Sequence, residues 1–166
     1  PRVLLASRSG HVVRNGQDLP AHLQSLGTVA AVVAADSADA SDSVSLSSTG
    51  PLTGVLHAAG AGDKGLLIEV TANKVQWMHA PKAFGAWYLY SATQTSPLEA
   101  RVLFSSVGSG LGNVGQGNYA AGNACLDALA ASRRAHGAAA SSVQWPLVGG
   151  AGMGAAAFAS VAEQQM

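Results

Sequence analysis

Four side chains on separate predicted elements could together donate a proton to a reacting carbonyl. Tyr119 and Asn123 are four residues apart on a predicted helix, so they share one of its faces. Ser106 follows the strand before this helix, and Lys82 follows Pro81 in a long helix upstream. A lysine ammonium beside a tyrosine hydroxyl stabilises the phenolate, so the tyrosine can protonate a developing alkoxide near neutral pH. A serine hydroxyl can orient the carbonyl. These residue types suit the reduction of a ketone by a hydride donor.

Short apolar runs alternate with helical stretches along the chain, which predicts a parallel sheet with helices on both faces. The expected strands are residues 2–6, 29–34, 54–58, 101–105 and 142–145. Helices are expected at 18–27, at 71–93 with a kink at Pro81, and at 118–136. Residues 37–49 are weakly patterned and predict a poor short helix or a loop, and the glycine-rich residues 108–117 predict a loop. We expect one domain spanning 1–166.

The polar groups of interest follow the predicted strands. In open parallel sheets, ligands bind beyond the carboxyl ends of the strands. The groups expected at that edge are Ser7 and Arg8, Asp36, the turn from His57 to Gly60, Ser105 and Ser106, and Trp145 and Pro146. The chemistry should therefore lie along this edge of the sheet.

Composition narrows the function classes. Nine basic and nine acidic residues give zero net charge, whereas a nucleic-acid-binding domain usually carries a basic excess. No uninterrupted apolar stretch reaches about 18 residues, so we expect no membrane span. The single cysteine, Cys125, forms no intrachain disulfide, which favours a reducing compartment, either the cytoplasm or an organelle, and we expect it to be a small core residue. No histidine or cysteine spacing indicates a metal site.

Five stretches carry a family resemblance in a fixed order: residues 4–10, 52–60, 81–87, 102–106 and 115–124. In them the chain resembles the ketoreductase domains of modular polyketide synthases and animal-type fatty acid synthases, within the short-chain dehydrogenase/reductase superfamily. Most of that superfamily places lysine four residues after tyrosine. Here Asn123 holds that position, and the ketoreductase branch moves the lysine upstream, where Lys82 matches.

The resemblance implies a Rossmann-like fold, NADPH as cofactor, and Lys82, Ser106, Tyr119 and Asn123 as catalytic residues. It also implies a β-ketoacyl thioester substrate, tethered to the phosphopantetheine arm of an acyl carrier protein, with neighbouring synthase domains as further partners. The cofactor residues implied are Ser7 and Arg8 at the 2′-phosphate, Asp36 near the adenine, and His57, Ala58, Ala59, Gly60, Lys82 and Tyr119 along the cofactor. His57 also has a structural interpretation, because it ends a buried strand.

Three departures from the family pattern qualify these expectations. The glycine-rich pyrophosphate loop and the strand before it, central in the order 3-2-1-4-5-6, are not found, so a partial ketoreductase domain is expected. The alternative is a non-catalytic structural module that keeps the fold and packs against neighbouring synthase domains. Trp145 is followed by Pro146 where the family often has Trp-Gly-x-Trp. Residues 62–64 match one position of a Leu-Asp-Asp motif, which leans the alcohol product towards the B-type.

Overall fold

The computed structural model describes residues 2–11, 19–62 and 64–148. Its strands are β1 (Arg2–Ser7), β2 (Val29–Ala34), β3 (Gly54–His57), β4 (Ala100–Ser106) and β5 (Ser141–Trp145). Its helices are α1 (Leu19–Ser25), α2 (Ala40–Ser47), α3 (Ala72–His79), α4 (Gly85–Ala92), α5 (Gly108–Leu111) and α6 (Gly117–Ala135). A π-helical turn, Ala80–Phe84, joins α3 to α4, and a 3₁₀ turn spans Leu67–Glu69.

All strand pairings are parallel, and they form two separate sheets. One sheet has the order β1-β2 and the other β3-β4-β5. The registers align Ser7 with Ala34 in the first sheet and Ser106 with Trp145 in the second. Among the described residues no strand pairs with the remaining edge of β1 or of β3. The α/β class with parallel strands and crossover helices is as expected, and β1 does not bridge to β3.

Helix α2 is better formed than the weak sequence pattern indicated. The side chain of Asp39 accepts hydrogen bonds from the backbone amides of Ser41 and Asp42, which caps the helix N-terminus. The carboxylate of Asp42 in turn accepts from the amide of Asp36 at 2.8 Å. The Asp39 cap therefore stabilises a serine-rich helix that has little apolar periodicity. The Asp42 bond holds the turn that follows β2 against this helix.

The best-defined core lies between the second sheet and helices α4 and α6. Leu103 of β4 packs with Ala86 of α4 and with Leu126 and Ala130 of α6, all 8% exposed or less. Cys125 is exposed, so the expectation that it is a core residue was wrong. It is adjacent to the fully buried Leu126, and neighbouring helical positions point in different directions. Packing of Leu126 and Ala130 fixes the rotation of α6 and so aims its polar side chains.

The described part of the chain contains neither a candidate membrane-spanning helix nor a candidate metal-binding cluster. No helix there is long and apolar enough to cross a membrane. No group of three or more histidine, cysteine, aspartate or glutamate side chains there could hold a metal ion.

Candidate active site

Lys82, Asn123 and Tyr119 form one contiguous cluster. The Nζ of Lys82 donates to Oδ1 of Asn123 at 2.9 Å and lies 5.3 Å from the centroid of the Tyr119 ring. Nδ2 of Asn123 donates to the backbone carbonyl of Tyr119 at 2.9 Å, one helical turn earlier. That second bond fixes the amide orientation of Asn123, because the nitrogen faces the carbonyl and the oxygen is left for the lysine.

Lys82 is a buried cation whose acceptor is neutral. The residue is 3% exposed, and burial lowers the pKa of Lys82 to about 8. Two glycines make room for its side chain. A Cβ on Gly60 would lie 3.2 Å from both Cε and Nζ, and one on Gly122 would lie 3.4 Å from Cδ. The ammonium is therefore closely enclosed, which is the cause of its lowered pKa.

The position of Lys82 depends on the π-helical turn. The amide of Gly85 reaches back five residues to the carbonyl of Ala80, which inserts an extra residue between α3 and α4. Pro81 is the second residue of this turn, at the place where the sequence predicted a kink. The extra residue places Lys82 on a different side of the helix from the one it would occupy in an unbroken α-helix.

His57 supports the same turn from the end of β3. Its Nε2 donates to the carbonyl of Pro81 at 2.8 Å, and the residue is 3% exposed. Burial chiefly lowers the pKa of His57, and the nearby charge of Lys82 lowers it further. The imidazole is thus held neutral beneath the turn. Within the predicted cofactor-binding residues 57–60, Ala58 and Gly60 are exposed.

Ser106 ends β4 beside this cluster. Its Oγ accepts from the amide of Gly108 at 3.2 Å, so its own proton is left for another acceptor. The preceding Ser105 donates to the backbone carbonyl of Asn123 at 3.3 Å, which ties the end of β4 to α6. The structure thus joins Lys82, Asn123 and Tyr119 directly and brings Ser106 to them through its neighbour.

The predicted adenosine residues lie on the other sheet. Ser7 ends β1 and donates from Oγ to the carbonyl of His11 at 2.9 Å, while Arg8 is exposed in the following turn. Asp36 follows β2, and its Oδ1 accepts from the amide of Ala38 at 2.9 Å. The structure places these residues at carboxyl ends of the first sheet, and Ser37, next to Asp36, lies close to Gly85 and His57 beside the π-helical turn. Asp63, used for the stereochemical expectation, lies outside the described residues.

Sequence reasoning missed Asp127. Its carboxylate accepts hydrogen bonds from Ser109, Ser142 and Gln144. Asp127 lies four residues after Asn123, so the available signal was a third polar residue on the face that carries Tyr119 and Asn123.

The chain is similar in sequence to known polyketide synthases. The sequence model of the KR domain matches residues 1–150. The chain is 45% identical over 152 residues to polyketide synthase GfsB of Streptomyces halstedii, covering 88% of this chain and 3% of that protein. It is 40% identical over 149 residues to mycoketide-CoA synthase of Mycobacterium tuberculosis, covering 87% of this chain and 4% of that one. The chain therefore spans only a few per cent of these curated relatives.

Solved ketoreductases share the fold. A structure of A-type ketoreductases from a modular polyketide synthase superposes with a TM-score of 0.87 at 36% identity, covering 93% of this chain and 34% of that one. The first ketoreductase of the tylosin polyketide synthase gives 0.85 at 38% identity, covering 92% and 34%. With a family match over most of its length, the described site and these likenesses, the chain belongs to the KR family, the ketoreductase domains of polyketide synthases.

Proposed function

We propose that this chain contributes the catalytic residues for NADPH-dependent reduction of a β-ketoacyl thioester to a β-hydroxyacyl thioester. The observation that carries the proposal is the buried contact of Lys82 with Asn123 beside the Tyr119 ring, at the strand edge where Ser106 ends β4. A buried lysine without a carboxylate partner is unfavourable for stability alone, and such groups are common in functional sites.

The residues present fit a nicotinamide cofactor. Lys82 has a neutral amide oxygen as its hydrogen-bond acceptor within the described ranges, so its ammonium can still serve ribose hydroxyls. The glycine at position 60 keeps the backbone open beside Nζ, where a Cβ would lie 3.2 Å away. The residues that would hold the cofactor are Ser7, Arg8, Asp36, His57, Ala58, Ala59, Gly60, Lys82 and Tyr119. When bound, the nicotinamide supplies the hydride.

Each member of the cluster has a distinct task in this proposal. Tyr119 gives its phenolic proton to the developing alkoxide, and the Lys82 ammonium stabilises the phenolate left behind. Ser106 donates its proton to the ketone oxygen, and the hydrogen bond that its Oγ accepts from the Gly108 amide leaves this proton available. Asn123 holds the ammonium at 2.9 Å and can order a water that returns a proton to the site.

The substrate and partners belong to the same proposal. The curated relatives are multidomain synthases that are far longer than this chain. We propose that the β-ketoacyl group arrives on the phosphopantetheine arm of an acyl carrier protein and that neighbouring synthase domains pack around this unit. A reducing compartment, such as the cytoplasm, agrees with the single exposed cysteine.

The test is a matched pair of tyrosine variants in the full-length natural protein. Tyr119→Phe should abolish reduction of a soluble β-ketoacyl thioester while NADPH affinity changes little, because only the proton donor is lost. Tyr88→Phe removes the same hydroxyl from α4, outside the cluster, and should keep normal turnover. Comparable turnover in Tyr119→Phe would refute the mechanism. Cofactor binding without any turnover in the unmodified protein would favour the non-catalytic module instead.

A further inference from the structure

The carboxylate of Asp127, on α6, accepts hydrogen bonds from side chains of α5 and β5. Its Oδ2 accepts from Oγ of Ser109 in α5 at 2.6 Å and from Nε2 of Gln144 in β5 at 2.8 Å. Its Oδ1 accepts from Oγ of Ser142 in β5 at 2.5 Å. Gln144 also donates to Oγ of Ser109 at 2.9 Å, which closes the network. This carboxylate therefore links α5, α6 and β5 at one point.

The network needs a carboxylate. Burial alone would raise the pKa of Asp127, but hydrogen bonds from Ser109, Ser142 and Gln144 outweigh it and hold that pKa below its usual range. An ionised carboxylate accepts at both oxygens, whereas an amide has one acceptor oxygen and would require a serine on its nitrogen side to become an acceptor. The pattern is that of a fixed anion serving as an acceptor.

The turn that Ser109 links to Asp127 begins directly after Ser106. Oγ of Ser106 accepts from the Gly108 amide, and Ser109 is the next residue. Five of the ten residues from 108 to 117 are glycine, so this stretch has little intrinsic preference for one conformation. The amide of Val107 donates to the carbonyl of Trp145 at 3.1 Å. That bond ties the turn to β5, and Ser109 ties it to α6.

We propose that Asp127 is a positioning residue for Ser106. It fixes the turn after β4 to α6, the helix that also carries Tyr119 and Asn123, and so sets the Ser106 hydroxyl relative to the tyrosine. The inference rests on the proposed reductase function. Small misplacements of an orienting group can cost up to about a hundredfold in rate, so a loosened turn should be visible in kcat.

The test compares two serines that donate to the same carboxylate, in the full-length natural protein. Ser109→Ala cuts the link to the Ser106 turn and should lower kcat for a soluble β-ketoacyl thioester roughly tenfold. NADPH affinity should stay the same. Ser142→Ala cuts a link to β5 only and should change kcat less than about twofold. Asp127→Asn should reproduce or exceed the effect of Ser109→Ala.

A second measurement separates positioning from a general loss of structure. In a Ser106→Ala background, Ser109→Ala should have little further effect on the residual kcat, because the hydroxyl it positions is gone. An undiminished effect there, or equal effects of the two serine variants in the normal background, would overturn the inference while leaving the proposed function intact. If the unmodified protein reduces no β-ketoacyl thioester, the proposed function fails, and the inference with it.

Discussion

At the scale of single residues, the site depends on one enclosed ammonium. The neutral amide oxygen of Asn123 accepts the hydrogen bond of Lys82, so no carboxylate offsets the burial of the ammonium. In most short-chain dehydrogenases the lysine comes from the tyrosine's own helix, whereas here it arrives from the π-helical turn. The result is a lysine whose charge state changes within the experimentally accessible range.

This lysine predicts the alkaline side of the pH profile. Because the pKa of Lys82 is lowered to about 8, the ammonium is present below that pH and lost above it. We expect kcat/KM to fall as the pH rises through about 8. In Lys82→Arg the guanidinium stays charged, so this falling limb should disappear even if the rate is lower. Persistence of the same limb in the variant would assign it to another group.

Arg8 predicts the choice between the two nicotinamide cofactors. Its side chain is exposed, so a contact with the 2′-phosphate is partly screened and worth about tenfold in affinity. Arg8→Ala should weaken NADPH by about that factor and leave NADH nearly unchanged. Arg2→Ala removes another exposed arginine, at the opposite end of β1, and serves as the control in calorimetric titrations. Equal losses for both cofactors would show that Arg8 does not contact the phosphate.

At the scale of elements, α4 begins against a crowded surface. A Cβ on Gly85 would lie 2.9 Å from Oγ of Ser37, 3.2 Å from its carbonyl, and 3.2 Å from Cε1 of His57. Here the segment after β2 meets the end of β3 and the π-helical turn. The closeness of the Ser37 backbone carbonyl and of the Ser37 and His57 side chains favours glycine at the start of α4.

Two glycines that begin helices give a matched test of this packing. Gly85→Ala should destabilise α4 by roughly 1–3 kcal/mol, because Ser37 and His57 must move. Gly117→Ala, at the start of α6, meets nothing within 4 Å and should be neutral or slightly stabilising. Hydrogen exchange in the full-length protein would report the first change as reduced protection of the α4 amides. Unchanged protection in Gly85→Ala would contradict the close approach.

The elements also show how far the sequence could predict the fold. The short apolar runs located the five described strands to within about a residue, although Val29 and Leu56 on these strands are largely exposed. Helix α2 was uncertain, since its order comes from the Asp39 cap rather than from apolar spacing. Helix α5 was missed because its glycines predicted a loop. The network of Asp127 was missed because its donors come from β5 and α5, far away in sequence.

At the scale of the whole molecule, the two sheets are the dominant feature. Edges of β1 and β3 have no strand partner among the described residues. Leu56 on β3 is 68% exposed, and Val29 on β2 is 69% exposed. Open edges with exposed apolar side chains favour pairing between molecules.

This feature predicts the behaviour of residues 1–166 expressed alone. The edges of β1 and β3 leave backbone groups without strand partners among the described residues, and a domain has only about 5–15 kcal/mol of stability. We expect the isolated chain to aggregate or remain partly molten, without measurable NADPH binding. Circular dichroism and calorimetric titration check this. A cooperative thermal transition with micromolar NADPH affinity would show that the open edges are tolerated.

The spacing of Tyr119, Asn123 and Asp127 has a consequence for protein engineering. Each residue of an α-helix turns the chain by about 100°, so one inserted residue between Tyr119 and Asp127 would rotate the tyrosine away from Lys82. The first half of α6 therefore does not tolerate a change of length. Joints between recombined ketoreductases should avoid residues 119–127 and lie instead in the turn after α6, with Gly137 kept because its φ is 80°.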